Sequence, residues 1–497
     1  IIPNSIKSIG AYAFAYCSNL TSVTIPDSVE SIGYWAFSQC NIKELNIAED
    51  SKSVTKKMVV DEFYLEKVSI PDSVTSIESN AFDKCTKLKQ VDITDISKWC
   101  SIKFNNSRSN PLCYGADLYL NGAEVENLTV PDTLKKVNDY AFYGCTSIKN
   151  LTIPDGIKNT GISSFENCTN IKNITLSDSL EGIGFATFKN CYNVTDINFG
   201  NGIITIGDCA FNNCRNLSKI IIPNSVTNIG HFAFEDCISL KYATISENLT
   251  DIKNGTFKNC RALTGVNIPD GVTDIGDSAF SQCFALANTN IPNNVVNIGD
   301  SAFSQCFALT NINIPNSVVN IGNSAFSKCT KLMNVSLSTS LKKISENTFK
   351  DCTALKEITV PYSVTTIGTQ AFYGCIELTS ITMPDSVTSI GKNAFFGCKI
   401  KELNIAEGSK EVTEKMIVCE SILEKVSIPD SVESIGAFAF SDCKKLTSIR
   451  IPDSVTSIDN YAFLSCTRLE KVYITDMAAW CNIKFSNSVS NPLCYAH

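Results

Sequence analysis

The sequence is short of the residues on which most enzyme chemistry depends. Its 497 residues include two histidines, His231 and His497, three tryptophans and five methionines. So little histidine excludes most imidazole catalysis and most zinc chemistry. No Gly-x-x-x-x-Gly-Lys-Ser/Thr loop, Gly-x-Ser-x-Gly elbow, His-Glu-x-x-His or Cys-x-x-Cys occurs. Basic residues are in deficit, 42 Lys and Arg against 50 Asp and Glu, for a net charge of −8. A basic footprint for nucleic acid is therefore missing. No apolar run approaches the roughly 18 residues of a membrane-spanning helix, so no membrane insertion is expected within this chain. No cofactor site is legible and no enzyme is expected.

What the sequence has is a period. Cys145, Cys168, Cys191, Cys214, Cys237 and Cys260 stand 23 residues apart, and the step continues through Cys283, Cys306, Cys329, Cys352, Cys375 and Cys398. Cys17 with Cys40, and Cys443 with Cys466, keep it. The stretch Ile275 to Leu286 recurs unchanged at Ile298 to Leu309. In one unit Val23 and Ile25 alternate with Ser22 and Thr24, which predicts a short strand with one buried face. Pro26 lacks an amide proton and ends it. Val29 and Ile32 point inward from a second extended or turning segment, Gly33 supplies a corner, and Ala36, Phe37 and Cys40 are expected on one side of a single helical turn. One unit is too small to bury its own core, so neighbours must stack. The expected fold is an α/β, β-rich solenoid with parallel strands, running through residues 1–497 as one array.

Two modules interrupt the period, and each occurs twice. Lys43 to Met58 is echoed by Lys401 to Met416, and both are read as longer coils, over 41–70 and 399–428, carrying a helix in their second half. The other spans 93–131, with Trp99-Cys100 and Asn110-Pro111-Leu112-Cys113-Tyr114, and returns at 474–497 with Trp480-Cys481 and Cys494, cut short. Asp95 and Asp476 are placed to cap short helices, and Asn121-Gly122 signals a hairpin. Both ends of the chain fall inside a unit, so a piece of a larger protein is expected, with any signal and anchor elsewhere. Unpaired strand edges at such ends invite self-association.

The unit Leu20-Thr-Ser-Val23-Thr-Ile25-Pro26-Asp-Ser-Val29-Glu-Ser-Ile32-Gly33-Tyr-Trp-Ala36-Phe37-Ser-Gln-Cys40 resembles the BspA-type (Treponema pallidum-type) leucine-rich repeat, and the resemblance covers essentially the whole chain. It implies a leucine-rich-repeat solenoid. The family is largely made of surface or secreted proteins of anaerobic bacteria, some of them adhesins for host matrix or cell-surface proteins. The resemblance thus implies a cell-surface or secreted binding protein; the alternative is a structural spacer presenting other domains. The motif defines no contact residues.

Of the 23 cysteines, seventeen hold the position after Ala-Phe, where a small buried hydrophobe is wanted. Stacking sets their Cβ atoms about 4.8 Å apart on parallel bonds, a poor match to disulfide geometry, so a reduced column is expected. Cys100 with Cys113, and Cys481 with Cys494, are left open as local disulfides. Outward strand positions are free to vary. Through the middle of the chain they form an amide stripe of Asn267, Asn288, Asn290, Asn311, Asn313 and Asn334. It reads either as a ladder bonded along the stack or as a docking surface. Trp99 and Trp480 read either as packing for their inserts or as ligand contacts. Asp27, Asp72, Asp155 and Asp270 follow the strand proline and are explained by turn chemistry.

Overall fold

The computed structural model describes residues 1–495; His497 lies outside the described residues. The chain divides into two compact units, Ile1–Leu249 and Thr250–His497. Each is a stack of parallel coils, the β-rich solenoid that the period predicts.

In the first unit Ser22–Ile25, Glu44–Ile47, Lys67–Ser69, Gln90–Ile93 and Asp117–Leu120 pair in parallel, side by side. Val23, Leu45, Val68, Val91 and Leu118 share one register row and are all buried. A second column of two-residue strands forms where Ile32-type residues point inward, as in Ser53–Val54, Ser76–Ile77 and Lys103–Phe104. The second unit repeats this: Asp274–Ile275, Asn297–Ile298 and Asn320–Ile321 pair in order.

The segment carrying Ala-Phe-x-x-Cys is not helical. Its main-chain N–H groups alternate in purpose. The amides of Ser278, Phe280 and Gln282 donate to Asp300, Ala302 and Ser304 in the next coil, each at 2.8 Å. The amides of Ala279, Ser281 and Cys283 close three-residue turns onto Gly276, Ser278 and Phe280. This alternation puts Ser278 and Gln282 in the left-handed region, at φ of 54° and 62°. An α-helical turn would commit all these donors inside the coil; the turn instead gives half of them to its neighbour.

Phe280, Phe303 and Phe326 stack along this third column with centroids 5.3 and 5.4 Å apart. Beside them run the thiols. Cys306 Sγ donates to the carbonyl of Phe280 at 3.3 Å, and Cys329 and Cys352 to those of Phe303 and Phe326 at 3.2 Å. Cysteine here is a small apolar residue that also satisfies a buried carbonyl. All 23 cysteines are unbonded, Cys100, Cys113, Cys481 and Cys494 included.

The Lys43 and Lys401 modules differ from expectation. Each is a coil in its own right, not a longer coil with a helix. Glu44–Ile47 pairs with strands on both sides, and Ser53–Val54 enters the second column. A 3-10 turn follows, Lys56–Met58, with Glu414–Met416 as its copy, and the second module adds another at Glu420–Ile422. A 22-residue step places Glu44 beside Ser22, and buried Met58 and Met416 stand in for phenylalanine.

The tryptophan module does contain the capped helix. Asp95 accepts from Ser97 and Lys98 amides at 2.7 and 3.2 Å at the head of Ile96–Ser101. Asp476 does the same for Met477–Cys481. The hairpin forms too: Tyr119 faces Glu124, and Asn121 and Gly122 both have positive φ, as a tight two-residue hairpin turn requires. No helix among the described residues is long and apolar enough to cross a membrane.

Candidate functional site

Within each unit the outward strand residues form a largely polar face because the coils repeat the same alternation. The six asparagines of the middle stripe, Asn267, Asn288, Asn290, Asn311, Asn313 and Asn334, are all exposed. Asn311 and Asn313 lie opposite Asn334 and Ser336 in a paired strand, and Asn288 lies opposite Gly265. Asn334 Nδ2 donates to Asn311 Oδ1 at 2.6 Å. A longer amide ladder lies in the first unit, at positions the sequence reading passed over. Asn150 donates to Asn127 and Asn173 to Asn150, each at 2.6 Å, with the three residues in register.

The two tryptophans occupy different environments. Trp99 is 1% exposed; its Nε1 donates to the Ala141 carbonyl at 2.9 Å, and its ring meets Phe104 edge-on at 5.4 Å. It fastens its own insert to the following coils and has no free face. Trp480 keeps the Phe485 contact at 5.5 Å but is half-exposed. Trp35, which sequence reading did not single out, is 51% exposed beside Tyr34 on the turn column.

The turn aspartates bridge coils. Asp27 accepts from the Lys52 amide, Asp72 from the Thr94 hydroxyl and Asp155 from the Ser179 hydroxyl, at 2.7–3.0 Å. His231 is half-buried beside Phe232. Burial pushes the column thiols up, Cys237 and Cys329 to about 12, so they stay protonated and unreactive at neutral pH. Among the described residues no group of three or more His, Cys, Asp and Glu is placed to hold a metal.

Two grooves mark the strand face of the first unit. One, of 410 Å³, crosses Thr24, Asn46, Ser69 and Asp92 and ends against the Asn121-Gly122 turn. Its Asp92 pairs with Lys67 at 2.8 Å, which holds the lysine above its ordinary range. The other, of 380 Å³, lies between Asp196–Asn198 and Lys219–Ile221. In the second unit a 670 Å³ cleft opens where Met416 interrupts the phenylalanine column, between Phe396 and Cys419. Hydrogen-bonding and apolar groups suited to holding a partner are thus present on these surfaces.

The family model for the BspA type leucine rich repeat region matches residues 1–110, 115–241, 181–310, 296–417 and 418–490. A search of curated proteins returns no match. Among solved structures, a leucine-rich repeat protein from Bacteroides ovatus is similar at 28% identity, over 72% of this chain and 82% of that one, with a TM-score of 0.40. A leucine rich cell surface protein from Faecalibacterium prausnitzii is similar at 25% identity, over 72% and 90%, with a TM-score of 0.38. The leucine rich repeat protein of T. pallidum is similar at 23% identity, over 40% and 82%, with a TM-score of 0.30. With the repeat matched from Ile1 to Ser490, the chain belongs to the BspA-type leucine-rich-repeat family.

Proposed function

We propose that this chain is a non-enzymatic binding protein, displayed at a cell surface or secreted, that adheres to a host matrix or cell-surface protein through its outward strand residues. The observation that carries the reading is the exposed amide stripe, Asn288 and Asn290 with Asn311 and Asn313, on a repeat scaffold of a protein-binding family. Each carboxamide has donor and acceptor capacity beyond the single bond seen between Asn334 and Asn311. Trp480 is the second candidate contact.

The competing reading, a spacer, draws on that same Asn334–Asn311 bond, since an amide ladder also serves to stiffen a stack. The test is surface binding of the chain to a panel of matrix proteins, mucins and intact cells. The comparison variant changes Asn288, Asn290, Asn311 and Asn313 to Lys. Saturable binding that the variant loses is the expected result. Binding kept by this variant but lost in Trp480→Ala moves the contact to the insert. Absence of binding across the panel overturns the proposal in favour of the spacer.

A further inference from the structure

The strand face is polar in every coil but one. Outer strand positions carry Thr, Ser, Asn, Gln, Asp, Glu, Lys, Arg or Tyr, with one Gly at 265, whereas Ile221 presents an aliphatic side chain there and is 54% exposed. Tyr242, in the neighbouring strand, is 62% exposed. The registers place Lys219 opposite Tyr242 and Ile221 opposite Thr244, so the three side chains form one patch.

Beside this patch the sheet is broken. Asp196–Asn198 pairs with Asn173–Leu176, and Lys219–Ile221 pairs with Tyr242–Thr244, but no ladder joins the two sets among the described strands. The sheet is interrupted at other coils too, as between Asn288–Thr289 and Asn311–Asn313, but here the turn is unlike theirs. Where the next coil reads Ile222-Pro223-Asn224-Ser225, this one reads Phe199-Gly200-Asn201-Gly202. A Cβ at Gly200 would overlap the Ser177 carbonyl oxygen, and one at Gly202 that of Asp178. Asn201 also donates its amide to Asp178 Oδ1 at 2.7 Å. The turn is therefore pressed onto the preceding coil, and the 380 Å³ groove opens on its other side, with Phe199 and Ile221 along it and Asp196 and Lys219 on opposite walls.

Resting on the reading that the strand face binds protein, we propose that this groove is the anchor of the interface. It takes an extended protein segment bearing a bulky apolar side chain next to a carboxylate. The apolar side chain seats against Ile221 and Phe199, and Tyr242 covers it, in the manner of an interface hot spot. The carboxylate meets Lys219. The strand lysines Lys67 and Lys425 are answered by Glu44 and Glu402 one coil away; among the described residues Lys219, like Lys471, has no ion pair, and Lys219 alone of the two lines the groove, with Asp196 across it. On a chain of net charge −8, a free cation beside an exposed apolar anchor selects an acidic-apolar partner.

The test uses the full chain and short fluorescent peptides of four kinds: a Leu or Phe flanked by Asp, the same flanked by Lys, a Ser flanked by Asp, and a Ser flanked by Lys. Chitotetraose is the competitor. The expected result is binding by the apolar-acidic peptide alone. It should be weakened about tenfold by Lys219→Glu and lost in Ile221→Asp, with the unfolding midpoint unchanged because Ile221 is exposed. Preference for the basic peptide, displacement by chitotetraose, binding indifferent to both variants, or no peptide binding would each overturn it. If Ile221→Asp leaves saturable adhesion on the host panel intact, the groove assignment fails while the adhesive function stands. If the panel shows no adhesion at all, the adhesive function fails with it.

Discussion

Raising the pH should unfold this protein through its thiols. In the second unit Cys283, Cys306, Cys329 and Cys352 occupy four successive coils and are fully buried. Burial holds all four thiols above their ordinary value of 9.0, Cys329 at about 12. Below pH 9 folded and unfolded chains both keep these protons, and stability is level. Above it the unfolded chain releases them while the folded chain does not, so the unfolded state gains until the folded value is passed. One pH unit above the ordinary value, each thiol costs about 1.4 kcal/mol. Four together cost about 6 kcal/mol at pH 10, comparable with the roughly 5–15 kcal/mol that holds a domain together. The assay is urea unfolding at steps from pH 7.5 to 10 under reductant. The reference is a variant with all four changed to Ala, which shares every Lys and Tyr titration. Wild type should lose about 6 kcal/mol more than this variant across the range, and Cys306→Ala alone should spare about 1.4 kcal/mol. Parallel pH profiles for wild type and the quadruple variant would refute the argument.

Two further outcomes concern packing. Phe303→Ala should destabilise the second unit by about 3–5 kcal/mol, whereas Phe395→Ala should cost less by about 0.5–1.5 kcal/mol. The reason is that Phe303 stacks on both neighbours, while Phe395 stacks on Phe372 and borders the cleft left by Met416; chemical denaturation compares the two, and equal losses would contradict the column's role. Thr289 buries a hydroxyl without a hydrogen-bond partner at an inward position where other coils carry Val, Ile, Leu or, once, Ala. Thr289→Val should therefore raise stability by about 1–3 kcal/mol, read from the unfolding midpoint.

Period and alternation made the strand columns, the core and the phenylalanine stack legible, because each depends on which residues repeat. The same holds for Asp95 as a cap and Asn121-Gly122 as a turn, whose chemistry is local. The turn column was not legible as non-helical. Ala36, Phe37 and Cys40 have helical spacing, and the left-handed positions hold Ser278 and Gln282, where glycine would have been the signal. The Lys43 and Lys401 coils were misjudged because they lack the Ala-Phe-x-x-Cys signature, though their strands keep register. On the candidate face, the asparagines were placed outward correctly from alternation alone. Trp99 could not be told from a surface tryptophan without the coil that covers it. Ile221 was readable in principle, since Ile220-Ile221-Ile222 breaks the alternation. The groove beside it depends on how closely Gly200 and Gly202 approach Ser177 and Asp178, which no pattern in one coil reveals.

The cross-coil bonds also bear on how such a chain changes length. Asn150 reaches Asn127 and Asn173 reaches Asn150 across 23 residues, and Cys306 and Cys329 reach Phe280 and Phe303 across 26. Every partner is thus named by its place in the adjoining coil, not by its own position in the chain. Removing or adding one whole coil leaves each surviving side chain facing an equivalent partner, and Glu44 shows that even a 22-residue coil keeps the ladder in step. The unchanged repetition of Ile275 to Leu286 at Ile298 to Leu309 is what unequal recombination between coding repeats would leave behind. Reach in such a molecule can drift from one generation to the next with no refolding problem to solve, while a singular feature such as the Gly200-Gly202 turn is carried by one coil alone and disappears with it.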